Sequence, residues 1–349
     1  MTTRCAESPQ LVALLAGRRI TVLTGAGIST DSGIPDYRGP DSPPSNPMTI
    51  RQFTSDPVFR QRYWARNHVG WRHMDDTAPN AGHRALAALE DAGVVSGLIT
   101  QNVDLLHTKA GSRNVIDLHG TYAQVICLSC GHTMSRAALA EQLEALNPGF
   151  IERAEAIGGL AVAPDADAIV ADTSSFRYLD CPRCVGMLKP DIVYFGENVS
   201  KDTVAQAYSL IEQAEALLVA GSSLTVFSGY RFVRHAVTQG IPVAIVNRGR
   251  TRGDELATVK VDGGCSELLV LLANELLNPS DAGLVISSPA PQLRPLSVAE
   301  AFGPAVRSNR RLSSLLPMTA HKTITSIRKT CMVTTIGPAP ESIAVANTA

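Results

Sequence analysis

Short, continuously apolar segments recur along this chain, and helical patterns separate them. A strand that is apolar along its whole length is buried on both faces, which is typical of a parallel sheet covered by helices. Ligands of such sheets bind beyond the carboxyl ends of the strands, where the connecting loops lie. The sequence therefore predicts an α/β fold with a Rossmann-like parallel sheet, with strands at 20–23, 94–100, 115–118, 192–195, 217–220 and 243–246.

The remaining segments are predicted to be helices, loops and a tail. Helical patterns cover residues 11–15, 53–72, 81–91, 201–214, 228–239 and 266–277. The stretch 41–48 is rich in Pro and Ser, which predicts a loop. Beyond residue 278 no hydrophobic period is sustained, so we predict a flexible, mildly basic tail over 279–349.

The loop after the first strand, TGAGISTDSGIPDYRG from Thr24 to Gly39, begins like a dinucleotide-binding turn. Gly25 and Gly27 stand like the first two glycines of G-x-G-x-x-G, but Thr30 occupies the place of the third. Pro35 leaves room for little more than one helical turn. An NAD(P) oxidoreductase would need the complete motif and an acidic residue about 20 positions later, and neither stands out.

Four later strand ends also carry polar or small residues. Asn102 and Asp104 can offer hydrogen bonds to a sugar or an amide, although turn formation and N-capping explain them equally well. His119 suits general-base chemistry near neutral pH, and a merely satisfied polar side chain is the alternative. Residues 221–223 (GSS) and Asn247 end two further strands. Together these loops predict one crevice suited to a dinucleotide.

Four of the seven cysteines form two C-x-x-C pairs, Cys127/Cys130 and Cys181/Cys184, with 50 residues between the pairs. Two such pairs can close a tetrahedral Cys₄ shell around Zn²⁺, and the full shell makes the metal structural instead of catalytic. Four unrelated buried cysteines are the alternative. The spacing predicts one structural zinc ion per chain.

Composition excludes several function classes. The net charge of −1 gives no strongly basic surface, so nucleic acid is not a predicted partner. No apolar run reaches the roughly 18 residues of a membrane span, and no secretory pattern opens the chain. We therefore expect no membrane partner and a cytoplasmic location, or the mitochondrial matrix if the protein is eukaryotic. The sequence leaves the oligomeric state open.

Taken in order, these motifs resemble the sirtuins, a family of NAD-consuming protein deacylases. The resemblance covers about residues 8–278, and stretches such as RQRYWARNHVGW and SGYRF are similar to class II sirtuins in particular. It implies a catalytic domain over 1–278, with a helical insertion at about 41–83 and a zinc-binding lobe at about 123–188. The motifs that carry it are GAGIS (25–29), IPDYRG (34–39), TQNVDLLH (100–107), HG (119–120), both C-x-x-C pairs, KPDIVYFGE (189–197) and GSS (221–223).

The resemblance also implies roles for single residues. His119 would be the general base, and Asn102 and Asp104 would position the ribose and a water. The residues that would shape the nicotinamide pocket are Ala26, Ile34, Asp36 and Tyr37. The implied NAD-binding set is Gly25, Ala26, Gly27, Ser29, Asp36, Tyr37, Arg38, Gln101, Asn102, Val103, Asp104, Gly221, Ser222, Ser223, Asn247, Arg248, Gly249 and Cys265.

In the reaction that the resemblance implies, the carbonyl oxygen of an acylated lysine in a protein displaces nicotinamide from NAD. His119 then activates a ribose hydroxyl that attacks the alkylimidate, and water releases lysine and O-acyl-ADP-ribose. The substrate peptide would add a strand near residues 193–196. Protein ADP-ribosyl transfer on the same scaffold, an oxidoreductase and a non-catalytic zinc module are the alternatives.

The identity of the acyl group depends on Tyr63 and Arg66, which lie three positions apart and so share a helix face. A similar pair in class III sirtuins binds succinyl and malonyl carboxylates. A surface aromatic ring packing under an arginine is the alternative. From the resemblance to class II we expect a broad or non-acetyl deacylase.

Overall fold

The computed structural model describes residues 4–39, 42, 47–156, 164, 168, 170 and 172–278. The predicted tail 279–349 and most of the predicted loop 41–48 lie outside these ranges, and the division into a domain over 1–278 and a tail stays a prediction. The helices are α1 (Arg4–Leu15), α2 (Ile50–Ser55), α3 (Pro57–Asp76), α4 (Ala81–Asp91), α5 (Leu106–Lys109), α6 (Arg136–Leu146), α7 (Phe150–Ala156), α8 (Lys201–Glu212), α9 (Phe227–Thr238) and α10 (Cys265–Leu277). The strands are β1 (Ile20–Thr24), β2 (Val95–Thr100), β3 (Val115–Asp117), β4 (Gly120–Cys127), β5 (Thr133–Ser135), β6 (Leu188–Ile192), β7 (Ala216–Ala220), β8 (Val243–Val246) and β9 (Val259–Val261).

Six strands form a parallel sheet in the order β3-β2-β1-β7-β8-β9. All five residues of β1 are buried, which explains why its sequence does not alternate between apolar and polar residues. Thr24 ends β1 directly beside Thr100 of β2 and Ala220 of β7. The predicted α/β, Rossmann-like fold class is confirmed.

Helices cover both faces of this sheet. Val22 points into a core shared with α4 and α10, where Leu86 and Leu269 are fully buried. Leu23, the next residue, belongs to the core on the opposite face, where Phe232 of α9 packs. Because successive side chains of a strand point to opposite faces, each face has its own core. The sheet is therefore held rigidly between two helix layers.

Three antiparallel strands, in the order β5-β4-β6, form a smaller sheet. The predicted strand at 192–195 was wrong in bounds and in partner, because the strand is β6 and it pairs antiparallel with β4 instead of joining the parallel sheet. Leu188 lies opposite Cys127 in this pairing. An apolar run shows that a strand is buried but does not show which sheet takes it.

The predicted helix at 53–72 is interrupted. Asp56 has an extended backbone, and its side chain accepts a hydrogen bond from the amide of Val58, so it ends α2 and caps α3. Pro57 then occupies the first position of α3, where a missing N–H costs nothing. The sequence prediction also lacked β4, β5 and β9, and α4 begins at Ala81, inside the segment 41–83 assigned to the insertion. Among the described residues there is no helix that could span a membrane.

Candidate active site

A cavity of about 680 Å³ opens at the carboxyl edge of the parallel sheet. It lies where the strand order leaves β1 in opposite directions, toward β2 on one side and β7 on the other. This switch point is where open α/β sheets bind ligands. The predicted site residues in its wall are Gly25, Ala26, Gly27, Ser29, Asp36, Tyr37, Arg38, Gln101, Asn102, Val103, Asp104, His119, Gly221, Ser222, Ser223, Asn247, Arg248 and Cys265.

Gly249 is the predicted residue that does not line this cavity. Its amide donates to the carboxylate of Asp262, 3.2 Å away. Its positive φ of 74° explains a glycine there by the shape of the turn. The sequence pattern did not distinguish this local role from ligand contact.

Two glycine turns touch on the cavity wall. The amide of Gly27 donates to the carbonyl oxygen of Gly221 over 2.8 Å. A Cβ on Gly27 would lie 2.9 Å from that oxygen, and a Cβ on Gly221 would overlap the amide nitrogen of Ile28. Both positions therefore exclude a side chain and leave a cradle of backbone that suits a phosphate. Two short 3-10 helices, Ala26–Ile28 and Thr30–Ser32, follow where a dehydrogenase motif has a long helix.

His119 lies in the two-residue connection between β3 and β4. Its Nδ1 is 2.9 Å from the carbonyl oxygen of Gln101, which can only accept, so Nδ1 carries the proton. Nε2 then accepts from the hydroxyl of Ser228 over 2.8 Å. Burial lowers the pKa of His119; the Gln101 carbonyl raises it, and the charge of Arg231 lowers it again. The ring is therefore neutral at physiological pH, with its basic nitrogen at Nε2.

Asn102 and Asp104 form a network with Ser29. The carboxylate of buried Asp104 accepts from the Ser29 hydroxyl at 2.6 Å and from the amide of Leu106 at 3.0 Å. Asn102 donates from Nδ2 to Ser29 Oγ and to the Gly25 carbonyl oxygen. Asp104 thus forms a turn just before α5, which is the turn-forming alternative, while the N-cap residue itself is Leu105; Asp104 also orients Ser29. Among the described residues the amide oxygen of Asn102 has no partner and lines the cavity.

The start of α9 is a part of the site that sequence reasoning missed. Ser228 and Arg231 both line the cavity, and Ser228 contacts the His119 ring. Gly229 lets the helix approach Gln101, whose Oε1 accepts from the hydroxyl of Ser222 at 2.6 Å. The stretch SGYRF could have identified these two residues from sequence, because its serine and arginine are three positions apart, directly after a strand-end loop.

The loop after β8 and the start of α10 contribute another part of the wall. The Asn247 side chain donates to the Arg248 carbonyl oxygen at 2.7 Å, and Lys260 donates to the Asn247 carbonyl oxygen at 3.0 Å. Burial raises the pKa of Cys265 to about 12, so this thiol stays protonated. A neutral thiol, an amide and the guanidinium of Arg248 therefore face the cavity here.

The segment after the first 3-10 helices is held by Asp36. Its carboxylate accepts from the amides of Arg38 and Gly39 and from the hydroxyl of Ser42. Tyr37 meets Phe195 edge to face, with ring centroids 6.1 Å apart. This contact places the segment against Phe195, which follows strand β6 of the smaller sheet.

Residues 193–197 follow β6 and connect the smaller sheet to the site. The amide of Val193 donates to the carbonyl oxygen of His119 over 2.7 Å. Buried Lys189 pairs with Glu197 at 2.7 Å, and the amide of Tyr194 donates to the same carboxylate. The buried contacts of Lys189 and Glu197 thus fix the segment, while the Phe195 ring remains 40% exposed.

Tyr63 and Arg66 do not belong to the cavity wall. Tyr63 is 2% exposed and packs against Phe53 and Tyr194, with centroids 5.4 Å away in both cases. Arg66 donates from Nε to the carbonyl oxygen of Ala168 over 2.7 Å. The structure therefore gives no support to an acyl pocket built on this pair, and Tyr63 is not a surface aromatic either.

The four predicted zinc ligands come together. All four sulfur atoms lie within 4.8 Å of one another, with Cys127 3.5 Å from Cys184 and Cys130 3.7 Å from Cys181. Zn–S bonds of about 2.3 Å in a tetrahedron place the sulfurs about 3.8 Å apart, which these spacings match. The amides of Ser129 and Arg183 point at two of the sulfurs, a contact that favours thiolates. The site fits structural zinc.

Comparison with known proteins agrees with this geometry. The Sir2 family model matches residues 25–228. The chain is 84% identical over 276 residues to NAD-dependent protein deacetylase 1 of Mycobacterium avium, covering 79% of this chain and 98% of that protein. It is 50% identical over 273 residues to NAD-dependent protein deacetylase 1 of Streptomyces coelicolor, covering 77% and 89%.

Solved structures give the same result. A Sir2 complex with a p53 peptide and NAD⁺ has a TM-score of 0.61 and 32% identity, covering 76% of this chain and 97% of that one. A Sir2 variant with a deacetylated p53 peptide and 3′-O-acetyl-ADP-ribose has a TM-score of 0.60 and 30% identity, covering 77% and 98%. By sequence, fold and cysteine cluster together, the chain belongs to the Sir2 family, the sirtuins.

Proposed function

We propose that the chain is an NAD-dependent protein lysine deacylase of the deacetylase type. It would cleave nicotinamide from NAD and transfer the acyl group of an acyl-lysine to ADP-ribose. The observation that carries the proposal is the tautomer of His119, a residue of the cavity wall, whose basic Nε2 contacts Ser228 of the same wall. The names of the two bacterial relatives and the ligands of the two solved structures support it.

The cavity fits NAD on several independent grounds. The backbone cradle at Gly27 and Gly221 suits a diphosphate, and the Asn102 amide oxygen is free to accept from a ribose hydroxyl or a water. Arg38 and Arg248 add positive charge to the wall. When bound, NAD supplies the leaving group and the sugar that accepts the acyl group.

His119 would act as general base through Nε2. Its Nδ1–H already points at the Gln101 carbonyl oxygen, so the imidazolium formed by proton transfer gains a stronger hydrogen bond without any movement. The Ser228 hydroxyl donates a hydrogen bond to Nε2 in this structure. During catalysis the ribose hydroxyl would replace Ser228 as the donor to Nε2. Asp104 and Ser29 would hold Asn102 in place during the reaction.

The peptide around the acyl-lysine would lie along residues 193–196 and add a strand through its backbone. The support is the bracing of this segment by Lys189 and Glu197, which holds it in one conformation before a peptide arrives. The exposed Phe195 ring offers apolar surface to a neighbouring side chain. The amide of Val193 ties the same segment to the catalytic loop.

The test is to compare His119→Ala with His235→Ala, using an acetyl-lysine peptide and NAD. His235 is a matched control because it lies outside the cavity and pairs with Glu212 on the surface. We expect His119→Ala to bind NAD but lose most steady-state nicotinamide release and O-acetyl-ADP-ribose formation, because the alkylimidate is not resolved; the control should stay close to the parent. General-base catalysis typically contributes about 10²–10⁴-fold. Full turnover in His119→Ala would refute the assigned base.

Three finer assignments belong to this proposal. The acyl preference would be broad or non-acetyl, as the class II motifs imply. The zinc would act structurally, since four cysteines leave no open coordination position. The location would be the cytoplasm, which the bacterial origin of both relatives supports; fractionation of cells that produce the chain would check it.

A further inference from the structure

Arg231 is a cation in the cavity wall whose inner nitrogen has no partner. It lies on α9, and its Nε is buried without a hydrogen bond to any described residue. The guanidinium carbon lies 5.4 Å from the centroid of the Phe227 ring, against apolar surface. A buried donor without a partner is costly, so the site favours a ligand that brings an acceptor to it.

The carboxylates of the cavity wall are engaged elsewhere. Asp36 accepts from its own loop, and Asp104 accepts from Ser29 and Leu106. Glu197 pairs with Lys189. None of the ion pairs among the described residues includes Arg231. No carboxylate of the cavity wall therefore neutralises Arg231, and an anionic group of a ligand would find its charge available.

The position of Arg231 points to the acyl end of the substrate. Ser228, three residues earlier on the same helix, touches Nε2 of His119. Residues three apart on a helix have their Cβ atoms about 5–6 Å apart. Arg231 thus lies about one helical turn from the base, whereas Gly27 and Gly221 form a separate cradle for phosphates.

We propose that Arg231 binds a carboxylate at the far end of the acyl group, so that lysines carrying dicarboxylic acyl groups, such as succinyl-lysine, are preferred substrates. This inference rests on the proposed deacylase function and names its substrate class. The planar guanidinium can hold a carboxylate through two charge-assisted hydrogen bonds. The acyl pocket that the sequence offered as one interpretation of Tyr63 and Arg66 would thus lie on a different helix, α9.

The experiment compares two peptides that differ only in charge. One carries succinyl-lysine, and the other carries the primary amide of the same acyl group, which has the same shape. With NAD present, kcat/KM is measured by nicotinamide release and by mass spectrometry of the ADP-ribose product. The variants are Arg231→Gln and Arg231→Lys, and the control is Arg234→Gln, an exposed arginine on the same helix that does not line the cavity.

We expect the parent to prefer the succinyl peptide over its amide by about 10- to 100-fold, as for a hydrogen-bonded charge pair. Arg231→Gln should bring this ratio close to one, Arg231→Lys should keep part of it, and Arg234→Gln should leave it unchanged. Because the ratio compares two substrates of one enzyme, a loss of folded protein does not alter it.

Two results would overturn the inference. One is a parent ratio near one. The other is an Arg231→Gln variant with an unchanged ratio and an equally raised KM for NAD with both peptides, which would make a phosphate of NAD the anion. Failure of the proposed function is distinguishable, because then neither peptide, nor an acetyl-lysine peptide, would release nicotinamide.

Discussion

The contact between the two glycine turns can be tested by adding one methyl group. In Gly221→Ala the new Cβ would lie 2.6 Å from the Gly27 carbonyl carbon and would overlap the Ile28 amide nitrogen. Both neighbours are backbone, so they cannot rotate away as a side chain would. The left-handed conformation, φ +66°, adds its own cost for any residue with a Cβ.

The magnitude follows from these two terms. The left-handed backbone costs about 1–2 kcal/mol for alanine, and overpacking costs about 1–3 kcal/mol, which together give about 2–5 kcal/mol. For a domain of this size each kcal/mol lowers Tm by about 2–4 °C, so the fall should be roughly 4–20 °C. Gly240→Ala is the matched control, because Gly240 has φ +72° and nothing within 4 Å of a Cβ. Gly240→Ala should therefore lose only the stability that comes from the left-handed backbone, about 1–2 kcal/mol.

The assay is thermal and urea unfolding followed by circular dichroism, with NAD binding measured by calorimetry on the folded variants. We expect Gly221→Ala to unfold at lower temperature than Gly240→Ala and to bind NAD more weakly. Equal Tm values for the two variants would show that the turns do not touch as described. If Gly221→Ala is destabilised but binds NAD as tightly as the parent, the contact between the turns stabilises the fold but the turns do not bind the phosphates of NAD.

Three further predictions concern protons and metal. Because burial lowers the pKa of His119, the acid limb of kcat/KM against pH should have its midpoint below 6.5, and a midpoint above that value would contradict the environment described. The parent should contain one zinc per chain by elemental analysis, and Cys130→Ala should lose the metal and unfold at lower temperature; a metal-free parent of full stability would rule the site out. Burial, and next the charge of Asp104, raise the pKa of Asp117 from 3.8 to about 7. The unfolded chain therefore releases this proton first, so stability should fall as pH rises between these values. Asp117→Asn should remove that fall, as measured by urea unfolding at several pH values, and an identical pH profile in the variant would contradict the assignment.

The sequence was most informative where local chemistry and tertiary position coincide. All five residues of β1 are buried, and its apolar residues Ile20, Val22 and Leu23 cover both faces, a pattern that a buried parallel strand needs. Gly25, Gly27 and residues 221–223 follow such strands, so their meeting at one edge of the sheet could be predicted. The pairs Cys127/Cys130 and Cys181/Cys184 were informative for the same reason, since zinc chemistry restricts both ligand type and spacing.

The sequence was least informative about which elements become neighbours. The apolar character of β6 was visible, but its antiparallel pairing with β4, beside the four cysteines, could not be predicted from that character alone. Tyr63 and Arg66 were correctly placed on one helix, yet helix spacing does not say whether a face meets the cavity or the aromatic core. Arg231 was recognised as a site residue only in the structure, where α9 packs beside His119.

The connection that carries His119 has a mechanical consequence. Asp117 ends a strand of the large sheet, Gly120 begins a strand of the small one, and a Cβ on Gly120 would overlap the Asp191 carbonyl oxygen. The imidazole therefore lies on the two-residue connection between the two sheets, and the close approach at Gly120 leaves no room for a side chain there. A ligand that tilted the zinc-bearing sheet would withdraw the base from the sugar without touching the nucleotide.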